Sequence, residues 1–128
     1  MIDHTGFMVS DFARSKAFYV RALAPLGYEV IMELSAAMTG RGDVAGLGVA
    51  PKPDFWIATG APNEPRIHIA FRAANRTAVD AFHQAALAAG GRDNGPPGLR
   101  PHYHPNYYGA FVLDPDGHNV EAVCHDPA

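Results

Sequence analysis

Three residues of this sequence have side chains that commonly bind divalent metal ions: His4, His68 and Glu121. Two imidazoles and one carboxylate suit Zn²⁺, Ni²⁺, Mn²⁺ or Fe²⁺, and three protein ligands leave coordination positions open for water or substrate. Gly6 lies close to His4 and Ala70 close to His68, so each histidine has room beside it. In the alternative interpretation, the histidines are hydrogen-bonded structural residues and the glutamate is solvated. This alternative stays open because the three residues belong to different predicted strands, so their spacing in the sequence does not show that they meet.

An internal repeat relates the two histidines. When the sequence is shifted by 64 positions, His4 aligns with His68 and no gap is needed. Such a repeat predicts two copies of one supersecondary unit that share a core. If a pseudo-twofold axis relates the copies, the two histidines can face each other across a shared concave surface. The identical pairs are His4 and His68, Phe7 and Phe71, Ala17 and Ala81, Phe18 and Phe82, Ala22 and Ala86, Leu23 and Leu87, Ala24 and Ala88, and Gly27 and Gly91.

The first copy is predicted to run from a strand through a helix to further strands. Residues 2–9 alternate between two faces, which is typical of a short strand. Ser10-Asp11 provides an N-cap for a helix that Pro25 and Gly27 end. Further strands are predicted over residues 28–34, 42–49 and 55–59.

The second copy is predicted to repeat this order. A strand over residues 66–72 precedes a helix that Asn75 caps and that stops at Gly90-Gly91. A proline-rich loop over residues 95–105 then replaces regular structure. The last two strands, 107–113 and 119–124, flank the turn Asp114-Pro115-Asp116-Gly117, because an Asp-Gly pair favours a tight hairpin.

The two copies predict one domain over residues 1–128, with repeat units of about 1–62 and 66–126 joined at Asn63-Glu64-Pro65. Either half alone would be marginally stable, so the copies must share a core within one chain or between two. A net charge of −3 without a cluster of Lys or Arg disfavours nucleic acid and membrane partners. The single cysteine, Cys124, and an N-terminus without a signal-peptide pattern favour a cytoplasmic location.

Several of these segments together resemble the vicinal oxygen chelate superfamily, which includes glyoxalase I, fosfomycin-resistance proteins, bleomycin-resistance proteins and extradiol dioxygenases. The resemblance implies an α+β fold in which two βαβββ units form an incomplete barrel around a metal-binding cleft. It also implies one divalent metal ion, Zn, Ni, Mn or Fe, held by His4, His68 and Glu121. The matching segments are Ile2-Asp3-His4, Ser10-Asp11, Phe18-Tyr19, Leu26-Gly27-Tyr28, His68-Ile69-Ala70-Phe71 and, most specifically, Asp114-Pro115-Asp116-Gly117-His118-Asn119-Val120-Glu121.

One position departs from the glyoxalase I pattern that this resemblance implies. That pattern has a fourth ligand, a glutamate, at the repeat equivalent of Glu121. Aligning residues 54–57 with residues 119–122 places Trp56 there, and an indole cannot bind a divalent metal ion. The nearest carboxylate, that of Asp54, is two residues away. The sequence therefore predicts that glyoxalase I activity is absent.

The segment from Arg100 to Tyr108 is the second candidate for chemistry, because it concentrates ring donors before a predicted strand. His102, Tyr103 and His104 are candidates for proton transfer at the mouth of the cavity. The two histidines can equally form a surface metal site of their own or be solvated. Arg100 is a candidate for binding a substrate carboxylate or phosphate, with a plain surface charge as the alternative.

The leading functional prediction is a metal-dependent enzyme with lyase, dioxygenase or thiol transferase chemistry. Its small organic substrate would be chelated through adjacent oxygens and bound by Trp56, Phe55, Arg100 and Tyr107. The first alternative is a protein that sequesters a drug or other small molecule without a metal, as bleomycin-resistance proteins do. A purely structural metal site is the second alternative. We also expect a homodimer, because an open curved sheet has edges that need covering.

Overall fold

The computed structural model describes residues 1–128, which form two units of the same element order, strand, helix and three strands. This result confirms the predicted α+β class and the repeat. The first unit adds a 3-10 turn, Ala24–Leu26, and a short helix α2. Its elements are β1 (Thr5–Val9), α1 (Phe12–Leu23), β2 (Glu29–Leu34), α2 (Ala36–Thr39), β3 (Val44–Gly48) and β4 (Phe55–Thr59). Those of the second unit are β5 (His68–Arg72), α3 (Arg76–Ala88), β6 (Arg92–Leu99), β7 (Tyr108–Leu113) and β8 (Asn119–Cys124).

Each unit contributes its own four-stranded sheet, and the two sheets have equivalent strand orders, β1-β4-β3-β2 and β5-β8-β7-β6. In each sheet the first strand of the unit pairs with the last one in parallel, as β1–β4 and β5–β8. The other pairs are antiparallel. Gly6 is paired with Trp56 in the first sheet, and Ala70 is paired with Glu121 in the second. The registers therefore make Trp56 the structural equivalent of Glu121, in agreement with the sequence alignment.

The helices form where the sequence provides caps and apolar stripes. The side chain of Asp11 accepts a hydrogen bond from the Arg14 amide, and that of Asn75 accepts one from the Ala78 amide, which satisfies otherwise unpaired N–H groups at the two helix starts. After the 3-10 turn the chain turns at Gly27, whose φ of 86° favours glycine. Helices α1 and α3 pack against each other. None of the helices is long and apolar enough to cross a membrane.

Polar contacts join the two units around the turn between β7 and β8. The Tyr19 hydroxyl donates to Asp114 Oδ2 at 2.5 Å, and both groups are buried. The Ser10 amide and hydroxyl both donate to the Asp116 carboxylate. His118 Nδ1 accepts from the Ile67 amide within the second unit, and its Nε2 lies 3.4 Å from the Met8 carbonyl oxygen of the first unit. The second unit is thus fastened to the end of β1 and to α1, next to the shared aromatic core.

The predicted loop over residues 95–105 is wrong in its first part, because β6 extends to Leu99. Pro96 and Pro97 cannot donate backbone hydrogen bonds, which is why the sequence pattern suggested a loop. The strand tolerates them since it lies at the edge of its sheet and its pairing with β7 is interrupted on both sides of Gly95. Helix α2, Ala36–Thr39, was also not predicted.

Candidate metal and substrate site

One face of each sheet packs into the core, and we call the other its open face. In β5 the buried ring of Phe71 faces the core, whereas His68, Ala70 and Arg72 alternate with it and are exposed. In β8, Val120, Ala122 and Cys124 belong to the core cluster, so Glu121 lies between them on the opposite side. The open face of the second sheet consequently carries both a histidine and a glutamate.

These two residues are in direct contact. His68 Nε2 lies 2.9 Å from Glu121 Oε1, and the Tyr107 hydroxyl donates to Glu121 Oε2. The Glu121 side chain is only 2% exposed, whereas that of His68 is 55% exposed. A buried carboxylate needs partners for both oxygens, and here an imidazole and a phenol supply them.

Tyr107 is well suited to remain a donor. Its burial, followed by its hydrogen bond to Glu121, raises the pKa of the Tyr107 hydroxyl well above its usual value. The phenol therefore keeps its proton throughout the neutral and moderately alkaline range. It fixes one oxygen of Glu121 and leaves the other facing His68.

His4 does not join this pair within the chain. Its side chain is 60% exposed, and Nδ1 lies 2.7 Å from Asp3 Oδ1. That hydrogen bond, followed by the one from Lys52, lowers the pKa of the Asp3 carboxyl. No group of three or more His, Cys, Asp or Glu side chains in the chain is arranged to hold a metal ion. The His68–Glu121 pair thus fits a divalent metal in donor chemistry, but one chain provides only two of the three predicted ligands.

The predicted substrate-binding residues of β4 lie on opposite sides of that strand. Phe55 is buried, and its ring packs against the rings of Phe7, Tyr19 and Phe71 in the core. Trp56 is half-buried and lies on the open face of the first sheet. Only Trp56 is therefore available to a ligand on the open face.

The predicted loop residues form a cluster of rings that ends at Tyr107. The ring of Tyr103 lies 4.2 Å from that of His102 and 4.8 Å from that of Tyr107. His104 Nδ1 accepts from a backbone amide, so its Nε2 carries the proton and donates to His125 Nδ1 at 2.7 Å. Because Tyr107 binds Glu121, the cluster adjoins the His68–Glu121 pair through a single residue.

Arg100 also lies beside this site. Its guanidinium donates to the Pro96 carbonyl at 2.7 Å and lies 5.5 Å from the ring centre of Phe111. Phe111 is paired with Glu121 in the sheet, and its ring centre is 6.3 Å from that of His68. No carboxylate engages Arg100 in the chain, so an anionic ligand could pair with it.

Sequence reasoning missed three residues near the pair: Phe111, Arg72 and His125. Phe111 and Arg72 would have been found from the alternation of their strands once the register with β8 was known. His125 directly follows the last strand, and its pairing with His104 had no signal in the sequence. A cavity of about 450 Å³ adjoins His68 and is also lined by Asp54, Tyr28 and Arg72.

The fold and this site define a class of proteins built from paired βαβββ units with a candidate metal site on their open faces. The sequence matches the model of the Glyoxalase/Bleomycin resistance protein/Dioxygenase superfamily over residues 1–122, and the chain belongs to that superfamily. The match spans both units and all three predicted metal ligands. No curated protein matches the sequence.

Solved structures of the same fold include proteins of different activities. A glyoxalase/bleomycin resistance protein from Albidiferax ferrireducens is 28% identical, with a TM-score of 0.78 and coverage of 97% of this chain and 98% of the other. A fosfomycin resistance protein from Listeria monocytogenes, complexed with Mn(II) and a dihydroxypropylphosphonic acid, is 20% identical, with a TM-score of 0.68 and coverages of 96% and 88%. A glyoxalase I mutant from Zea mays is 23% identical with a TM-score of 0.71; this chain is covered to 95% but matches only 46% of the maize chain.

Proposed function

We propose that the protein is a metal-dependent enzyme that binds a small organic substrate through adjacent oxygens. The observation that carries this proposal is the contact between His68 and the buried Glu121 on an open sheet face. Lyase, dioxygenase and thiol transferase chemistry all remain within this proposal, whereas true glyoxalase I chemistry does not. The Mn(II) bound by the structurally similar fosfomycin resistance protein supports a divalent metal.

We further propose that His4 of a second copy completes the ligand set in a homodimer. His4 and His68 hold equivalent places in the repeat. His68 lies on the open face of β5, and His4 directly precedes β1, two residues before the exposed Gly6. The side chains of both histidines are more than half exposed, so both are accessible to a metal ion or to a second chain. A twofold dimer that joins the open faces of unlike units would build two identical sites.

The metal would supply Lewis acidity toward oxygens that gain negative charge during the reaction. The protein's own residues have separate tasks. Tyr107 holds one oxygen of Glu121, which orients the other toward His68. Arg100 would bind an anionic group of the substrate. His102, Tyr103 and His104 would donate or accept protons at the edge of the site. The rings of Tyr103 and His104 adjoin Tyr107, and that of His102 adjoins Tyr103.

Metal analysis of the purified protein and two variants tests this function. The parent is expected to bind one divalent ion per chain, and Glu121→Gln is expected to lose it because the amide is a poorer ligand. His83→Gln is the matched control, since His83 lies on α3 and contacts Asp93 away from the site. Stoichiometric metal in Glu121→Gln would contradict the proposed ligand set.

A metal-free binding protein is the second candidate. It is favoured by the absence of a three-ligand group within one chain and by the largely apolar open face of the first sheet. In that case the parent itself would bind no stoichiometric metal, and His4→Ala would leave ligand binding intact.

A further inference from the structure

The open face of the first sheet has a distinct chemical character. Cross-strand pairing places Gly6, Trp56, Gly46 and Met32 in one row across four strands. The next row consists of Met8, Ala58, Val44 and Leu34. No residue in either row is charged. Met8 is 43% exposed and Met32 is 47% exposed, so this apolar surface is accessible within the chain.

Trp56 lies in this surface in a space that two glycines keep free. A Cβ atom on Gly46 would lie 2.8 Å from Cη2 and 2.9 Å from Cζ2 of the indole. On Gly6 it would lie 2.6 Å from the Trp56 carbonyl oxygen and 2.9 Å from its Cβ. Any larger residue at position 46 would therefore displace the six-membered ring of the indole. The ring extends over β3, one strand away from β1.

The repeat relates Trp56 to His4 as Glu121 is related to His68. Glu121 is paired with Ala70, two residues after His68, and it contacts that histidine. Trp56 is paired with Gly6, two residues after His4. The indole lies over Gly46 of β3, so its aromatic surface is one strand away from β1, which His4 directly precedes.

The two open faces thus differ in the group that each would accept. The second sheet presents His68 and Glu121, which would hold oxygen-rich groups through a bound metal ion, and Arg72, which suits an anionic group. The first presents an aromatic ring flanked by methionines, which suits a planar apolar group. A ligand held between the faces would have a polar end and an apolar end.

We propose that Trp56 is a specificity-determining residue, and that the site selects substrates whose chelating oxygens are attached to an aryl group that stacks on the indole. This inference rests on the proposed metal site. It adds that Trp56, at the position equivalent to Glu121, recognises an aromatic ring.

The test compares two hydroxamates that share one chelating group, benzohydroxamate and acetohydroxamate, on the protein loaded with Mn²⁺ or Zn²⁺. Benzohydroxamate is expected to bind at least about fivefold more tightly, as one aromatic contact would give. Trp56 is the single tryptophan, so stacking is also expected to quench the intrinsic fluorescence. Calorimetry gives the affinities independently of fluorescence.

Two variants separate stacking from chelation. Trp56→Leu is expected to bind acetohydroxamate like the parent but to lose the preference for benzohydroxamate, and Trp56→Phe is expected to retain part of it. Equal affinity of the parent for both hydroxamates would overturn the role of Trp56 and leave the metal site standing. Failure of the loaded parent to bind either hydroxamate would contradict the proposed function and, with it, this inference.

Discussion

At the scale of single residues, Glu121 is the centre of the candidate site, because it is a buried carboxyl group with a partner for each of its oxygens. Its two oxygens have different partners, the imidazole of His68 and the phenol of Tyr107. Loss of a group that hydrogen-bonds to a metal ligand typically weakens metal binding by about 10- to 100-fold. Tyr107 was predicted to bind substrate, and its contact with Glu121 gives it a positioning role as well.

Tyr107→Phe is expected to weaken metal binding by about tenfold or more, because Glu121 Oε2 loses its donor. The variant should also lose roughly 1–3 kcal/mol of folding free energy, since a buried acceptor is left unpaired. Calorimetric titration with Zn²⁺ and thermal melting measure the two effects. Tyr103→Phe is the control, because the exposed Tyr103 stacks on the same ring without contacting Glu121. Equal metal affinity in both variants would reject the positioning role.

Because Trp56 stands where a glutamate would be needed, we expect the protein to lack glyoxalase I activity. The glyoxalase I pattern places a glutamate at this position, and the sheet registers make Trp56 equivalent to Glu121. We expect no turnover of the hemithioacetal of methylglyoxal and glutathione with Zn²⁺, Ni²⁺, Mn²⁺ or Fe²⁺ loaded. Clear turnover would mean that another carboxylate, most directly that of Asp54, serves as the base.

At the scale of elements, the segment between β6 and β7 connects the ring cluster to the site. We expect its amides to become protected from hydrogen exchange when acetohydroxamate binds the metal-loaded protein. A variant with His102→Ala and His104→Ala should lose this protection at a modest folding cost. We expect about 0.5 kcal/mol for the exposed His102. For the half-buried His104, which accepts a hydrogen bond from the Asn106 amide, we expect roughly 0.5–1.5 kcal/mol. His83→Ala serves as a control outside the loop. Protection that is the same with and without the chelator would leave the segment as plain surface.

Tyr19 links α1 to the turn before β8 through its hydrogen bond to Asp114. Its ionisation is expected to lower the free energy of unfolding at alkaline pH. Burial, followed by the charge of Asp114 and its hydrogen bond, raises the pKa of Tyr19 well above its usual value. Since the folded state holds this proton more tightly, the contribution is fully present below about pH 10 and is lost as pH rises through the folded pKa.

We expect the free energy of unfolding to fall above about pH 10, by about 1.4 kcal/mol per pH unit for each such tyrosine. Tyr19→Phe should be less stable at neutral pH, by roughly 1–3 kcal/mol, but should show a shallower alkaline decline. Urea unfolding at a series of pH values measures both, with Tyr103→Phe as the control. An alkaline slope identical to that of the parent would contradict this role of Tyr19.

The elements that sequence reasoning predicted are those with strong local signals. The caps at Asp11 and Asn75 and the alternation in β1 and β5 depend on neighbouring residues, so the sequence is sufficient to locate them. Strand β6 was missed because its pairing depends on β7 rather than on its own proline-rich composition. The equivalence of Trp56 and Glu121 was predicted only from the separate alignment of residues 54–57 with residues 119–122, and the registers of β4 and β8 agree with it.

At the scale of the whole molecule, the candidate site was predictable only in part. The repeat singled out His68, the chemistry of the last strand and the family resemblance singled out Glu121, and the chain brings these two residues together. The Tyr107 contact was not predicted, because the side-chain direction of a loop residue depends on tertiary structure. The location of His4 relative to His68 could not be read from local patterns, since in our account it depends on a second chain.

The unpaired edges and open faces of the two sheets also favour a dimer. Sedimentation at micromolar concentration should therefore give twice the chain mass of 13.7 kDa. A monomer under these conditions would reject the shared site directly.

The central claim is that each metal site takes His4 from one chain and His68 and Glu121 from the other. Mixing His4→Ala with His68→Ala, after exchange of subunits, tests this most directly. Each variant alone should bind no stoichiometric metal, whereas random re-pairing of equal amounts should restore about one site for every four chains. Metal binding that stays absent after verified exchange, while the parent is fully loaded, would contradict a site shared between chains.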